Sequence, residues 1–72
     1  RGNWRGPLWI GENARVDPSA TLGPNVVIGD GATIRPGAVL SDTVVWDGAE
    51  VAPHAELRRA IVHDTGTLQL DD

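Results

Sequence analysis

The stretch VVIGDGATIRPGAVL, from Val26 to Leu40, decides how the 72-residue chain folds. Large aliphatic residues recur in it at every sixth position, at Ile28, Ile34 and Leu40, with Asp-Gly and Pro-Gly pairs between them. A helix repeats its apolar face every 3.6 residues and a half-buried strand every 2 residues, so neither period fits. A six-residue period instead predicts short strands joined by tight turns, as in a solenoid.

The same repeat runs through most of the chain. Six-residue steps lead from Ile10 to Leu40, a five-residue step follows to Val45, and a second five-residue step reaches Val62. The eleven positions selected in this way are all aliphatic and are expected to point inward: Ile10, Val16, Leu22, Ile28, Ile34, Leu40, Val45, Val51, Leu57, Val62 and Leu68. The two shorter steps are 17 residues apart, which predicts three strands per coil and about three coils of 17–18 residues.

Turn-forming pairs occupy the third and fourth places of most units. Pro36-Gly37 is typical of a type II turn, in which proline presets its own φ and the next residue adopts a positive φ. Pro53-His54 departs from this pattern, since histidine tolerates a positive φ less readily. Because coils of parallel strands stack about 4.8 Å apart, equivalent turns should align along three edges: Glu12/Asp30/Asp47/Asp64, Pro18/Pro36/Pro53 and Pro24/Asp42/Arg59.

Composition excludes several classes of function. The net charge is −4 and all six basic residues are arginine, so the chain is a poor candidate for nucleic-acid binding. It has no Cys, which excludes disulfides and thiolate zinc sites. No apolar run reaches the roughly 20 residues of a membrane span, so we expect a soluble, cytoplasmic protein. The chain opens at Arg1 and contains no Met, so we expect a piece of a longer protein.

Several units resemble those of a known family. IGENAR, IGDGAT, IRPGAV and VWDGAE resemble the hexapeptide repeats of the left-handed parallel β-helix, and the handedness rests on this resemblance alone. The stretch SDTVVWDGAEVAPHAELRRAIV is similar to the carboxy-terminal β-helix of mannose-1-phosphate guanylyltransferase-like nucleotidyltransferases, through its coil endings LSDTVV and LRRAIV. We expect an all-β fold with a linker or cap over residues 1–9, a β-helix over 10–67 and an acidic tail over 68–72.

The resemblance implies a parent enzyme that makes a nucleotide sugar from an NTP and a sugar 1-phosphate, with Mg²⁺ as its cofactor. The catalytic domain of that group, with its Gly-rich loop, Arg and Lys, is missing from this sequence, which has no Lys. The chain is therefore expected to be a non-catalytic module for assembly or regulation, with no catalytic, cofactor-binding or metal-binding residue. A fragment of a trimeric hexapeptide acyltransferase and a purely structural β-helix remain alternatives.

The histidines and the charged residues have simple interpretations. His54 and His63 are nine residues apart and should lie on different faces, where they cannot share a metal ion; we expect exposed loop residues, with an acyltransferase base as the alternative. The acidic edge is expected to be a solvated column in which each Asp caps its own turn. Surface ion pairs are predicted between neighbouring coils, and these are Arg59–Asp42 and Arg35–Asp17.

The tryptophans indicate an interaction surface. Trp9 precedes the inward Ile10, and residues in its place on later coils are also apolar. A contiguous exposed apolar stripe usually marks an interface, so the interface candidates are Trp9, Val27, Val44, Trp46 and Ile61. A homo-oligomer is expected; alternatively, the missing catalytic domain or the tail, through Leu68 and Leu70, covers the stripe. Trp4 is expected to cover the open first coil.

Overall fold

The computed structural model describes residues 4–70, which form eleven short strands. Each strand contains two to four residues, because a turn interrupts the chain about every six residues. The strands are β1 (Leu8–Ile10), β2 (Arg15–Val16), β3 (Thr21–Leu22), β4 (Val26–Ile28), β5 (Thr33–Ile34), β6 (Val39–Ser41), β7 (Thr43–Val45), β8 (Glu50–Val51), β9 (Glu56–Arg58), β10 (Ala60–His63) and β11 (Gly66–Gln69).

From β1 to β10, every third strand joins the same sheet, which makes a three-sided prism. The first sheet has the order β1-β4-β7-β10-β11, the second β2-β5-β8 and the third β3-β6-β9. All pairs are parallel except β10 with β11. The predicted all-β parallel β-helix, with three strands per coil and about three coils, is therefore confirmed.

The inward positions stack in register and form the core. Ile34 pairs with Val16 on one side and with Val51 on the other, as the six- and five-residue steps require. Its side chain is 1% exposed. Large and small residues alternate in the core cluster, whose members are Ala20, Leu22, Val26, Ile28, Ala32, Ile34, Ala38, Leu40, Val45, Ala49, Val51 and Val62. This alternation fills the narrow prism, and the buried Thr43 beside it donates its hydroxyl to the Ser41 carbonyl at 2.7 Å.

The turns adopt the predicted positive φ. Gly37 has φ 77° and His54 has φ 61°, so the histidine accepts the conformation that glycine adopts one coil earlier. At the two five-residue corners the positive φ moves to Asp42 (49°) and Arg59 (54°), which lie directly before β7 and β10. Hydrogen bonds between coils hold the turns in columns; for example, the His54 N–H donates to the Pro36 carbonyl at 3.0 Å.

Trp4 closes part of the first coil, as predicted. It forms a parallel bridge with Leu22, and its indole Nε1 donates to the Ala20 carbonyl at 3.0 Å. The side chain is partly buried against the core cluster. Trp4 lies six residues before Ile10, so it belongs to the same repeat as the aliphatic positions.

The prediction that Leu68 continues the inward series is wrong. The chain reverses after His63, and β11 runs antiparallel to β10 with Leu68 opposite Ile61. Leu68 lies on the outer face of the sheet with Ile61 and is 52% exposed. The Leu70 N–H donates to the Arg59 carbonyl at 2.8 Å, which fixes the end of the described chain along the third edge. The outermost residues of the predicted segments 1–9 and 68–72 lie outside the described residues.

Candidate functional site: an apolar face beside an acidic edge

The outer face of the first sheet carries a continuous apolar stripe. Trp9 pairs with Val27, Val27 with Val44, and Val44 with Ile61, so four parallel strands of the sheet carry an apolar residue at the same position. Trp9, Val27 and Val44 are 57%, 41% and 38% exposed, whereas Ile61 is partly buried. The five-residue corners before β7 and β10 therefore do not turn Val44 or Ile61 inward.

The C-terminal strand extends this stripe and does not cover it. Leu68 lies opposite Ile61 in the antiparallel pair of β10 and β11. Residues directly opposite each other in such a pair point to the same side of the sheet, so Leu68 becomes the fifth member of the stripe. Leu70 is also exposed, at 42%. The alternative in which the tail shields the stripe through these two leucines is wrong.

A groove of about 500 Å³ lies within this face, between two tryptophans. Trp9 and Trp46 are both more than half exposed, and the Trp46 ring packs on His63 with its centroid 5.8 Å away. Two carboxylates border the groove at the neighbouring edge. The residues that line it are Trp9, Val27, Gly29, Val44, Val45, Trp46, Asp47 and Asp64.

The acidic edge is held together by hydrogen bonds from one coil to the next. The backbone N–H of Glu12 donates to Asp30 Oδ1 at 2.9 Å, and that of Asp30 donates to Asp47 Oδ1 at 2.8 Å. The prediction that each Asp caps its own turn is therefore wrong, because the carboxylate caps the turn of the preceding coil.

Two glycines make room for these carboxylates. A Cβ atom at Gly11 would lie 2.7 Å from the Asp30 backbone nitrogen, and one at Gly29 would lie 2.6 Å from that of Asp47. Trp46 occupies the place of Gly11 and Gly29 one coil further along the chain. The following coil ends at His63, after which the chain turns back as β11. We did not predict from the sequence that Gly29, Asp47 and Asp64 border the apolar face. The signal was available, because Trp46 follows Gly29 by the 17-residue coil length and Asp47 and Asp64 are separated by the same length.

The two histidines lie in different surroundings. His54 occupies the second edge, where its imidazole fills the space that a side chain on Gly37 would need. His63 lies beside the stripe, and its Nδ1 is 2.9 Å from Thr65 Oγ1. Within residues 4–70, no group of three or more His, Cys, Asp or Glu side chains is arranged to hold a metal ion.

One predicted ion pair forms with a different partner. Arg35 Nε lies 2.5 Å from Glu50 Oε2, so Arg35 pairs with the following coil and not with Asp17 of the preceding one. Asp17 instead accepts hydrogen bonds from the hydroxyl and backbone N–H of Ser19. These bonds, that from the hydroxyl first, lower the pKa of the Asp17 carboxyl below its usual value. Asp42 accepts a hydrogen bond from Asn25 Nδ2 at 2.8 Å.

Comparison with known families agrees with the fold. The family model described as the GMPPB C-terminal domain matches residues 4–69, which is nearly the whole prism including Trp4. The chain belongs to the GMPPB C-terminal domain family. The left-handed β-helix implied by the repeats is consistent with this membership.

The chain is also similar to bacterial proteins named bifunctional protein GlmU. It is 38% identical over 53 residues to that of Sphingopyxis alaskensis, 41% over 49 residues to that of Hyphomonas neptunium and 32% over 62 residues to that of Pseudoalteromonas atlantica. The matches cover 74%, 68% and 86% of this chain but only 12%, 11% and 14% of those proteins. No solved structure matches the chain at a significant level. Residues 4–70 contain no helix of the length and hydropathy that crossing a membrane would need.

Proposed function

We propose that this chain is the β-helix module of an enzyme that forms a nucleotide sugar from an NTP and a sugar 1-phosphate, with release of pyrophosphate. The observation that supports the proposal is the match to the GMPPB C-terminal domain over residues 4–69, on residues whose coils stack in register. The module's own task is assembly, and the nucleotidyl transfer takes place in a separate amino-terminal catalytic domain.

The residues of the chain support this division of labour. It has no Lys to contact the phosphates of an NTP. The glycines of its most Gly-rich stretch serve the solenoid, since Gly29 packs under Asp47 and the Gly31 N–H donates to the Glu12 carbonyl at 2.8 Å. Mg²⁺ would act in the catalytic domain, where it would neutralise the charge on the phosphates.

The apolar stripe supports the assembly role. The stripe crosses five strands at one register position, through Trp9, Val27, Val44, Ile61 and Leu68, and Trp46 lies beside it. Contiguous exposed apolar surface is uncommon on monomeric proteins, and tryptophan is enriched among the residues that dominate binding energy at interfaces. We therefore propose that this face is buried against another polypeptide in a homo-oligomer of the parent protein.

The test uses the natural full-length protein that contains this chain. We expect it to release pyrophosphate when given an NTP together with a sugar 1-phosphate, and to release no thiol when an acyl-CoA is offered together with the same sugar phosphate as acyl acceptor. The 72-residue chain alone should catalyse neither reaction. Thiol release without pyrophosphate release would overturn the proposal in favour of an acyltransferase, and pyrophosphate release by the isolated chain would overturn its non-catalytic role.

A further inference from the structure

Strand β11 is the last strand of the first sheet and has one open edge. It pairs with β10 on one side, and within residues 4–70 no strand pairs with its other side. Its four residues, Gly66–Gln69, are all exposed and include no charged residue and no proline. Natural proteins commonly protect an open edge with charges, proline or a bulge. Strand β11 has none of these, since its register with β10 is continuous.

The hydrogen bonds of the β10–β11 hairpin show which backbone groups lie along the open edge. The Leu70 N–H donates to the Arg59 carbonyl at 2.8 Å, and these two residues are opposite each other in the register of the hairpin. Opposite pairs in an antiparallel ladder alternate between bonded and non-bonded. The N–H and C=O groups of Thr67 and Gln69 therefore point away from β10.

The parallel neighbour of β10 leads to the same assignment. Val62 lies opposite Thr67, but its carbonyl accepts the Trp46 N–H at 2.8 Å and so is directed to the other side of β10. The Gln69 side chain is also engaged within the chain, because its Nε2 donates to the Arg58 carbonyl. Thr67 and Gln69 thus present backbone donors and acceptors along the outer edge of β11.

This edge is complementary to a second copy of itself. Thr67 and Gln69 lie on either side of Leu68. If the second copy runs antiparallel with its Leu68 opposite this one, each Thr67 faces a Gln69 and exchanges both backbone hydrogen bonds with it. The two Leu68 residues then form a non-hydrogen-bonded pair, whose Cα atoms lie about 4.5 Å apart. The two copies are related by a two-fold axis, the commonest symmetry of homo-oligomers.

The apolar stripe is continuous across this axis. Leu68 lies opposite Ile61 and belongs to the stripe on the outer face of the sheet. Opposite residues of an antiparallel pair point to the same side, so the two Leu68 side chains contact each other on that face. The first sheets of the two copies join into one sheet, and the two solenoids lie end to end.

We propose that β11 is a dimerisation strand, which pairs antiparallel with β11 of a second copy of this chain about a two-fold axis at Leu68. The contact goes beyond the assembly role proposed above. Strands paired edge to edge leave the outer face of the sheet open, so the stripe stays available for a separate contact.

Leu68→Cys in the natural full-length protein tests the register. Opposite residues about 4.5 Å apart are within reach of a disulfide, and a disulfide between the same position of two chains is intermolecular. Mass spectrometry of the oxidised protein at micromolar concentration identifies this link. We expect it to form at least tenfold faster than the corresponding link in Val39→Cys, at a position 39% exposed on the third sheet. Equal rates would overturn the inference.

A second substitution beside Leu68→Cys distinguishes edge pairing from face-to-face stacking of the stripes. Thr67→Pro removes an N–H that points away from β10, so the hairpin keeps its own hydrogen bonds while the edge loses a donor. We expect the link to form at least tenfold more slowly, whereas Thr67→Val, which keeps the N–H, should leave the rate unchanged. Val44→Glu, which alters the outer face, should also leave the rate unchanged. A link abolished by Val44→Glu but retained in Thr67→Pro would overturn edge pairing and leave the assembly role of the stripe intact.

Hydrogen exchange provides a measurement on the unsubstituted protein. Mass spectrometry with fragmentation to single amides follows exchange in the full-length protein at low and high concentration. Salt is added to screen repulsion between copies, since this chain alone contributes a net charge of −4 to each. The Thr67 and Gln69 amides should exchange at least tenfold more slowly at high concentration. The Leu70 amide, bonded to the Arg59 carbonyl within the chain, should be protected at both. Exchange of Thr67 and Gln69 that does not depend on concentration would overturn the inference.

Discussion

Asp47 Oδ1 accepts a hydrogen bond from the backbone N–H of Asp30, which is 17 residues earlier in the sequence and 2.8 Å away. The same relation joins Asp30 to Glu12 at 2.9 Å. Each carboxylate is thus paired with a donor from the neighbouring coil, and this attraction opposes the repulsion between the stacked acidic residues. The acidic edge therefore helps to hold the coils in register.

Asp47→Ala should destabilise the fold. It removes the acceptor for the Asp30 N–H, and a net loss of about 1 kcal/mol is typical for one hydrogen bond. Chemical denaturation measures the change, and hydrogen exchange of the Asp30 amide should accelerate. Asp47→Asn keeps an acceptor oxygen and serves as the control. An Asp30 amide that exchanges equally fast in both variants would contradict the proposed role of the carboxylate.

Gly29→Ala should cost about 1–3 kcal/mol, as overpacking of a close contact does. The added Cβ would lie 2.6 Å from the Asp47 backbone nitrogen, so the neighbouring coil would have to move. Gly6→Ala is the control, because a Cβ there would be at an ordinary 3.5 Å from the Leu8 nitrogen. Thermal melting of both variants decides the matter; equal melting temperatures would show that the coils tolerate the added methyl group.

Ile34→Ala should cost about 2–5 kcal/mol, because it leaves a cavity in the core. Ile34 is stacked between Val16 and Val51 and is 1% exposed. A domain of this size has little stability to lose, so the variant should melt far below the parent or fail to fold. Val39→Ala, at a position 39% exposed, provides a control with a small expected shift. An unshifted melting curve for Ile34→Ala would contradict the observed register.

Val44→Glu should disrupt self-association if the apolar stripe is the contact surface. Val39 has the same side chain and nearly the same exposure, 39% against 38%, but lies on the third sheet. Val39→Glu is therefore a matched control that should leave the mass unchanged. Light scattering at micromolar concentration measures both, and Trp46→Glu should act as Val44→Glu does. Loss of association in the Val39 variant alone would place the contact on another face.

Asp17 should make a small contribution to acid sensitivity. The hydrogen bonds from Ser19 lower the pKa of Asp17 in the folded chain. Its contribution to stability is therefore present above the unfolded pKa, about 3.9, and is lost as pH falls through the lower folded pKa. NMR titration of the carboxyl carbon should give a midpoint below that value, and Ser19→Ala should raise the midpoint. Identical midpoints in the two proteins would contradict the assignment to Ser19.

The sequence by itself determined the fold class, the number of strands per coil and the inward residues through Val62. A hydrophobic period is local information, and the spacing of turn-forming residues fixes the length of each unit without any knowledge of distant contacts. The alignment of Trp9, Val27, Val44 and Ile61 also follows from the coil length alone. The position of Leu68 could not be predicted from the coil length. The repeat does not indicate where the chain reverses and where an antiparallel strand replaces a parallel one.

Only the tertiary structure decided which groups pair across coils. Asp30 caps the turn of Glu12, and Arg35 pairs with Glu50 in place of Asp17. Both choices depend on side-chain direction and on distances between stacked turns, which sequence spacing does not contain. The groove beside Trp46 likewise exists because Gly29 lies under Asp47 one coil away. A period fixes which residues are neighbours, whereas hydrogen-bond geometry fixes which neighbours interact.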